Sequence, residues 1–285
     1  MADATSTKYL LDSSVVRPML LGTQAYQRYF ESQFGSNPRY ISPYVQMEMK
    51  RSYLRNIINF YFTLRLPTIP TIGDALTFWS NYFQGSKHKA VEQLVAQLLS
   101  TQALDFTRPE AKEIALRVLE GLIAQFVESL EQQFLQIDRD STKCARASVL
   151  FQIDTPNAAT ELKRFIDRFD DLETCRRQCQ IDRFLLEDHR DRVEQYIDRA
   201  TRLPKNDNTR GFIGIVNNLK EIVERGATAC SCKRCERIGD AVIALDAPRD
   251  MQLEHTDNSF DYLCYSIDQP HRKHPSETQI ILGYA

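Results

Sequence analysis

Four carboxylates, Asp12, Glu48, Asp240 and Asp257, stand near the two ends of a 285-residue chain, each beside residues that would set it at one edge of a small parallel sheet. Oxygen ligands of that kind suit a hard divalent cation, Mg2+ or Mn2+, which keeps several waters and so leaves room for chemistry at the metal. Asp12 closes the apolar run Tyr9-Leu10-Leu11, and Asp257 closes Met251-Gln252-Leu253-Glu254-His255-Thr256, so both are expected where strands give way to loops. In open α/β sheets that carboxyl edge is where ligands bind. Glu48 and Asp240 fall in segments that read as helices after strand or turn signals. Taken singly, each acid is most simply a helix cap or a surface group. Their joint occurrence points to a metal centre. Clustered carboxylates repel one another, and a bound cation relieves that repulsion, acidifies a coordinated water and neutralises charge growing on a phosphoryl oxygen.

Basic residues flank two of these acids. Lys50, Arg51 and Arg55 follow Glu48, and Lys233, Arg234 and Arg237 precede Asp240. They could steer a phosphate backbone, or be ordinary surface charges and ion-pair partners of the acids. Tyr40, Tyr44 and Tyr53 could stack a splayed base, although packing of helix against sheet is the commoner fate. Seven cysteines form an odd set with no export signal, which argues against a disulfide framework. Cys175 and Cys179, one helical turn apart, could join Cys232 and Cys235 around a structural Zn2+, or His189 could supply a fourth ligand. Thiols packed as small apolar groups remain the simpler reading. His271 and His274 fall in a polar stretch read as a solvent-exposed loop.

The elements that must position these groups divide by period. Lys8 to Asp12 reads as a buried strand, followed by a helix from about Val15 to Phe34 that ends at Gly35-Ser36-Asn37-Pro38. Arg39-Tyr40-Ile41 is a short strand, and Ser42-Pro43 offers an N-cap and a first-turn proline for the helix carrying Glu48. From about Asn56 to Gly226 the helical period dominates. Thr107-Arg108-Pro109-Glu110 opens a long helix with Ile114, Val118, Leu122, Ile123, Phe126, Leu130 and Phe134 as its apolar stripe. Trp79 is expected in the core of this helical stretch. After it, residues 235–245 suit a helix, 251–256 a strand and 278–284 a last strand. The expected organisation is a discontinuous α/β domain, residues 1–56 and 227–285, interrupted by a mostly α-helical insertion or cap, 57–226.

Composition bounds the chemistry. The 42% hydrophobic content supports a substantial core, and a net charge of -2 argues against a surface that coats nucleic acid indiscriminately. No apolar run is long enough to span a membrane, and residues 1–7 lack the basic and apolar regions of a secretory signal, so a cytoplasmic protein is expected.

The end segments resemble the PIN domain, a small metal-dependent nuclease fold. The matching pieces are Leu10-Leu11-Asp12-Ser13-Ser14-Val15-Val16, Ile41-Ser42-Pro43-Tyr44-Val45-Gln46-Met47-Glu48, Gly239-Asp240-Ala241-Val242-Ile243-Ala244 and His255-Thr256-Asp257-Asn258-Ser259-Phe260. The resemblance covers residues 8–56 and 236–284 and implies a three-layer α/β/α domain with a parallel sheet. By it, Asp12, Glu48, Asp240 and Asp257 correspond to the acidic metal-binding positions. Ser14 and Thr256 match small polar residues that support them, and Asp261 is a substitute or a supporting partner. It implies an Mg2+- or Mn2+-dependent ribonuclease, either a stand-alone RNA-processing enzyme or a toxin-like one held by an inhibitory protein. The alternative is a PIN-like scaffold turned interaction module, with the insertion as partner surface. The insertion's apolar stripes could also serve a homodimer.

Overall fold

The computed structural model describes residues 7–82, 91–92, 95–96, 99–137, 157–171, 173, 179–226 and 232–283. Along the chain run β1 (Lys8–Leu11), α1 (Ser13–Leu21), α2 (Gln24–Phe34), β2 (Arg39–Ile41) and α3 (Pro43–Met49). A π-helical stretch, Lys50–Leu54, leads into α4 (Arg55–Arg65), α5 (Ile72–Tyr82), α6 (Ala111–Gln132), β3 (Leu135–Gln136) and α7 (Ala158–Phe169). After short turns at Ile181–Asp188 come α8 (Arg190–Arg202), α9 (Asp207–Arg225), α10 (Cys232–Arg237) and α11 (Gly239–Asp246). β4 (Met251–His255), α12 (Asn258–Ser266), β5 (His271–Lys273) and α13 (Glu277–Ile281) follow. Among the described residues no helix is long and apolar enough to cross a membrane.

The chain forms two compact units: Met1–Met47, Gln132–Ser148 and Asp171–Ala285 make the first, Glu48–Glu131 and Val149–Asp170 the second. This partition differs from the expected boundaries at 56/57 and 226/227. Residues 171–226 go with the first unit because α9 packs on α12, where the Phe212 ring stacks on Tyr262 at 5.7 Å. Gly211 permits that approach, since a Cβ there would meet Ser259 Oγ at 2.6 Å. Tyr196 of α8 closes the cluster edge-on to Phe212.

Among the described residues of the first unit five strands pair in parallel, in the order β3-β2-β1-β4-β5. Leu10 and Leu11 are fully buried, as a central parallel strand covered on both faces requires. The two faces can be read from neighbours on β4, because adjacent strand residues point opposite ways. Glu254 meets His274 and Arg272, which lie under Phe30 and Phe34 of α2, while His255 stacks on Phe260 of α12. Helices therefore cover both faces, giving three layers.

Three expectations are corrected. The single helix over 15–34 is two, because the Gly22 N–H closes α1 onto the Pro18 carbonyl and Thr23 then caps α2 by accepting from the Tyr26 N–H. Residues 278–283, the described part of the expected last strand, form no strand. Ser276 and Gln279 form a capping box that starts α13. His271–Lys273, read as loop, is the edge strand β5, held by its register with Leu253, Glu254 and His255.

In the second unit, Trp79 is fully buried edge-on to Phe60 at 5.6 Å. The buried stripe of α6 runs through Ala115, Leu119, Ile123, Phe126 and Leu130. Ile114, expected in it, is exposed. Arg55 donates two bonds to one Asp170 oxygen, at 2.8 and 3.1 Å, tying α4 to the end of α7.

Candidate metal centre at the carboxyl edge of the sheet

The strand order makes β1 a point of reversal. The chain winds outward through β2 and β3, then returns to the other side of β1 as β4 and β5. In open α/β sheets such a switch point opens a crevice beyond the carboxyl ends of the two strands that flank it. Asp12 follows β1 and Asp257 follows β4, so both lie at that crevice.

Their placement is rigid. The Asp12 N–H donates to the Glu254 carbonyl at 3.0 Å, and the Thr256 N–H donates to Ser14 Oγ at 3.1 Å, so the two strand ends are stitched together. Each acid also caps the helix after it: Asp12 Oδ2 accepts from the Ser14 N–H at 2.9 Å, and Asp257 Oδ1 from the Ser259 N–H at 2.6 Å. Asp12 is only 2% exposed. Burial raises its pKa, the Ser14 and Ser13 hydrogen bonds oppose that rise, and the Asp257 charge adds to it. A desolvated carboxylate beside a second, exposed one of like charge, with lone pairs left over after capping, fits a hard cation.

Asp240 lies in the first turn of α11, which packs against α12, the helix that Asp257 caps. Tyr44, at the start of α3, anchors the neighbouring α10 by donating to the Cys235 carbonyl at 2.5 Å; its fully buried ring is not a platform for a base. Glu48 belongs to the second unit, where its carboxylate lies 3.9 Å from the Arg51 guanidinium. Among the described residues, one group of three has ligand atoms within 4.8 Å of one another, and it is His255, Asp261 and His271.

The basic residues expected to steer phosphate, or to be surface charges and ion-pair partners, divide among core, ion-paired and exposed positions. Lys50 is 1% exposed, and its burial lowers its pKa against the opposing pull of Glu131. It is a core lysine of the π-helical stretch. Arg51 and Arg55 are engaged by Glu48 and Asp170, and Arg234 is ion-paired with Glu221. Arg237 is exposed. The Lys233 side chain lies outside the described residues. So do Cys175 and the Cys232 side chain, two of the four expected zinc ligands; Cys179 and Cys235 are half-buried thiols.

Asp261, expected as a substitute or supporting partner of the acids, faces two histidines and a lysine. Its Oδ1 lies 3.6 Å from His255 Nε2 and 3.8 Å from His271 Nε2, and its Oδ2 accepts from Lys273 Nζ at 3.0 Å. His255 is fully buried and neither ring nitrogen closes a hydrogen bond, although the Asp257 backbone is near enough to act on the ring. Burial pushes its pKa down to about 4, with Asp261 opposing. Sequence reasoning passed over His255 as a strand residue. Its position two residues before a strand-end acid was the available signal.

Comparison with protein-family models, with curated proteins and with solved structures returns no match.

Proposed function

We propose that the protein is a metal-dependent nuclease of PIN-like type, with RNA as the favoured substrate. The observation that carries this reading is the buried Asp12, set beside the exposed and like-charged Asp257 at the switch point of a parallel sheet. Mg2+ and Mn2+ bind through as few as one or two carboxylates and retain their waters, so a pair suffices without a closed cage. A cation bound there would supply an acidified water and neutralise charge on the phosphoryl oxygen. Asp12 and Asp257 would hold it, with their unused lone pairs directed past the capped helix ends. Asp240 would complete the charge of the crevice. Ser14 keeps the two strand ends in register through its bond from Thr256.

A second reading has one observation in its favour. Asp12 and Asp257 both serve as helix caps, which is enough to explain a scaffold that binds partners without cutting.

Incubating the purified chain with single-stranded RNA or DNA while titrating Mn2+ separates the two. Cleavage that requires Mn2+ and falls about a hundredfold or more in both Asp12→Asn and Asp240→Asn supports catalysis. Asn caps as well as Asp, so these variants test the charge rather than the helix start. Cleavage unchanged by both substitutions, or absent at every Mn2+ concentration, removes the nuclease reading.

A further inference from the structure

We propose that His255, Asp261 and His271 form a separate site for a borderline divalent transition ion such as Zn2+ or Co2+. The register of β4 with β5 sets His271 opposite Leu253, so His271 and His255 point to the same face of the sheet, and α12 lays Asp261 between them. The two rings stack with centroids 5.5 Å apart.

The protons say what is missing. Nδ1 of His271 is 3.1 Å from the Gln269 carbonyl, which can only accept, so Nδ1 carries the hydrogen and Nε2 is the nitrogen that faces Asp261, open to a metal ion. His255 Nε2 faces the same carboxylate oxygen from a fully buried position with no hydrogen-bond partner. Three possible ligand atoms thus converge within 4.8 Å of one another, an arrangement that a cation can join. Ligands held about 2.0–2.1 Å from a tetrahedral ion stand about 3.3 Å apart. The observed 3.6 and 3.8 Å need to close by only a few tenths of an ångström.

Outer contacts fit the same role. A metal-binding imidazole usually donates its other nitrogen to a carbonyl, as His271 does to Gln269, and a metal-binding carboxylate is usually held by a donor on its second oxygen, as Lys273 holds Asp261. Two imidazoles and one carboxylate favour Zn2+, Co2+, Ni2+ or Fe2+ over Mg2+, which distinguishes this site from the all-oxygen pair at Asp12 and Asp257.

The full chain, stripped with chelator and titrated with Co2+, is expected to take up one equivalent, with visible absorption of nitrogen and oxygen coordination and no thiolate charge-transfer band. His271→Ala and Asp261→Asn alter half-buried side chains. Each is expected to weaken uptake about tenfold or more while leaving the circular-dichroism spectrum intact; Cys235→Ser is expected to leave uptake unchanged. Binding that is absent in the wild type, or equal in His271→Ala, overturns the site. Binding lost in Asp12→Asn yet kept in His271→Ala assigns the ion to the acids and also overturns it, whatever the outcome with RNA.

Discussion

Asp12 and His255 are buried ionisable groups at neighbouring strand ends, and desolvation moves them in opposite directions, the acid up and the imidazole down. For His255 the consequence is a pH profile. Its folded pKa, about 4, lies below the ordinary 6.5, so the unfolded chain takes up the proton first as pH falls. Stability is therefore whole above about pH 6.5 and is lost progressively toward pH 4. In metal-free buffer, denaturant titrations across that window should show a decline on the order of 1–3 kcal/mol in the wild type, and a clearly shallower one in His255→Gln; equal slopes would clear His255 of responsibility. The sequence disclosed Asp12 and Asp257 because an acid after an apolar run is a recognisable strand-end cap. It hid His255 and His271 because their meeting depends on strand register, and Arg272 and Lys273 make the edge strand look like loop.

Elements were legible where local chemistry ended them sharply. Gly35 closes α2 with φ +53°, and Ser42 starts α3 by accepting from the Val45 N–H, both as the turn residues foretell. The break between α1 and α2 was not legible, since one glycine inside an apolar pattern carries little weight. Spatially it is decisive: a Cβ at Gly22 would lie 2.4 Å from the Pro18 carbonyl oxygen. Gly22→Ala should cost about 1–3 kcal/mol, seen as a fall in Tm of several degrees. An unchanged Tm would mean that α1 can end elsewhere. The α13 error ran the other way. Thr278-Gln279-Ile280-Ile281 has strand-forming residues, but Ser276 and Gln279 already spelled a helix start.

At the scale of the molecule, the α/β character and the parallel sheet followed from the returning strand signals at both ends. The division into units did not, because the charged helices α8 and α9 hide the aromatic contacts, Tyr196 to Phe212 to Tyr262, that attach them to the first unit. β1 depends on β4 for one entire edge, through the register Lys8 with Met251 to Leu11 with Glu254. A chain ending at Asp250 is expected to leave that edge unpaired, and amide exchange at Leu10 and Leu11 should rise to rates near those of unfolded peptide. Retained protection would show that β1 is held by β2 and its helices alone.

That pairing of early-made with late-made backbone sets a timetable. During synthesis the amino-terminal half of the crevice waits, folded or not, for a partner some 240 residues behind it in the message. A ribosome-bound chain therefore carries Asp12 without Asp257 until β4 has been made, and under the nuclease proposal any attack on nucleic acid would begin only after the template has been read through to that strand.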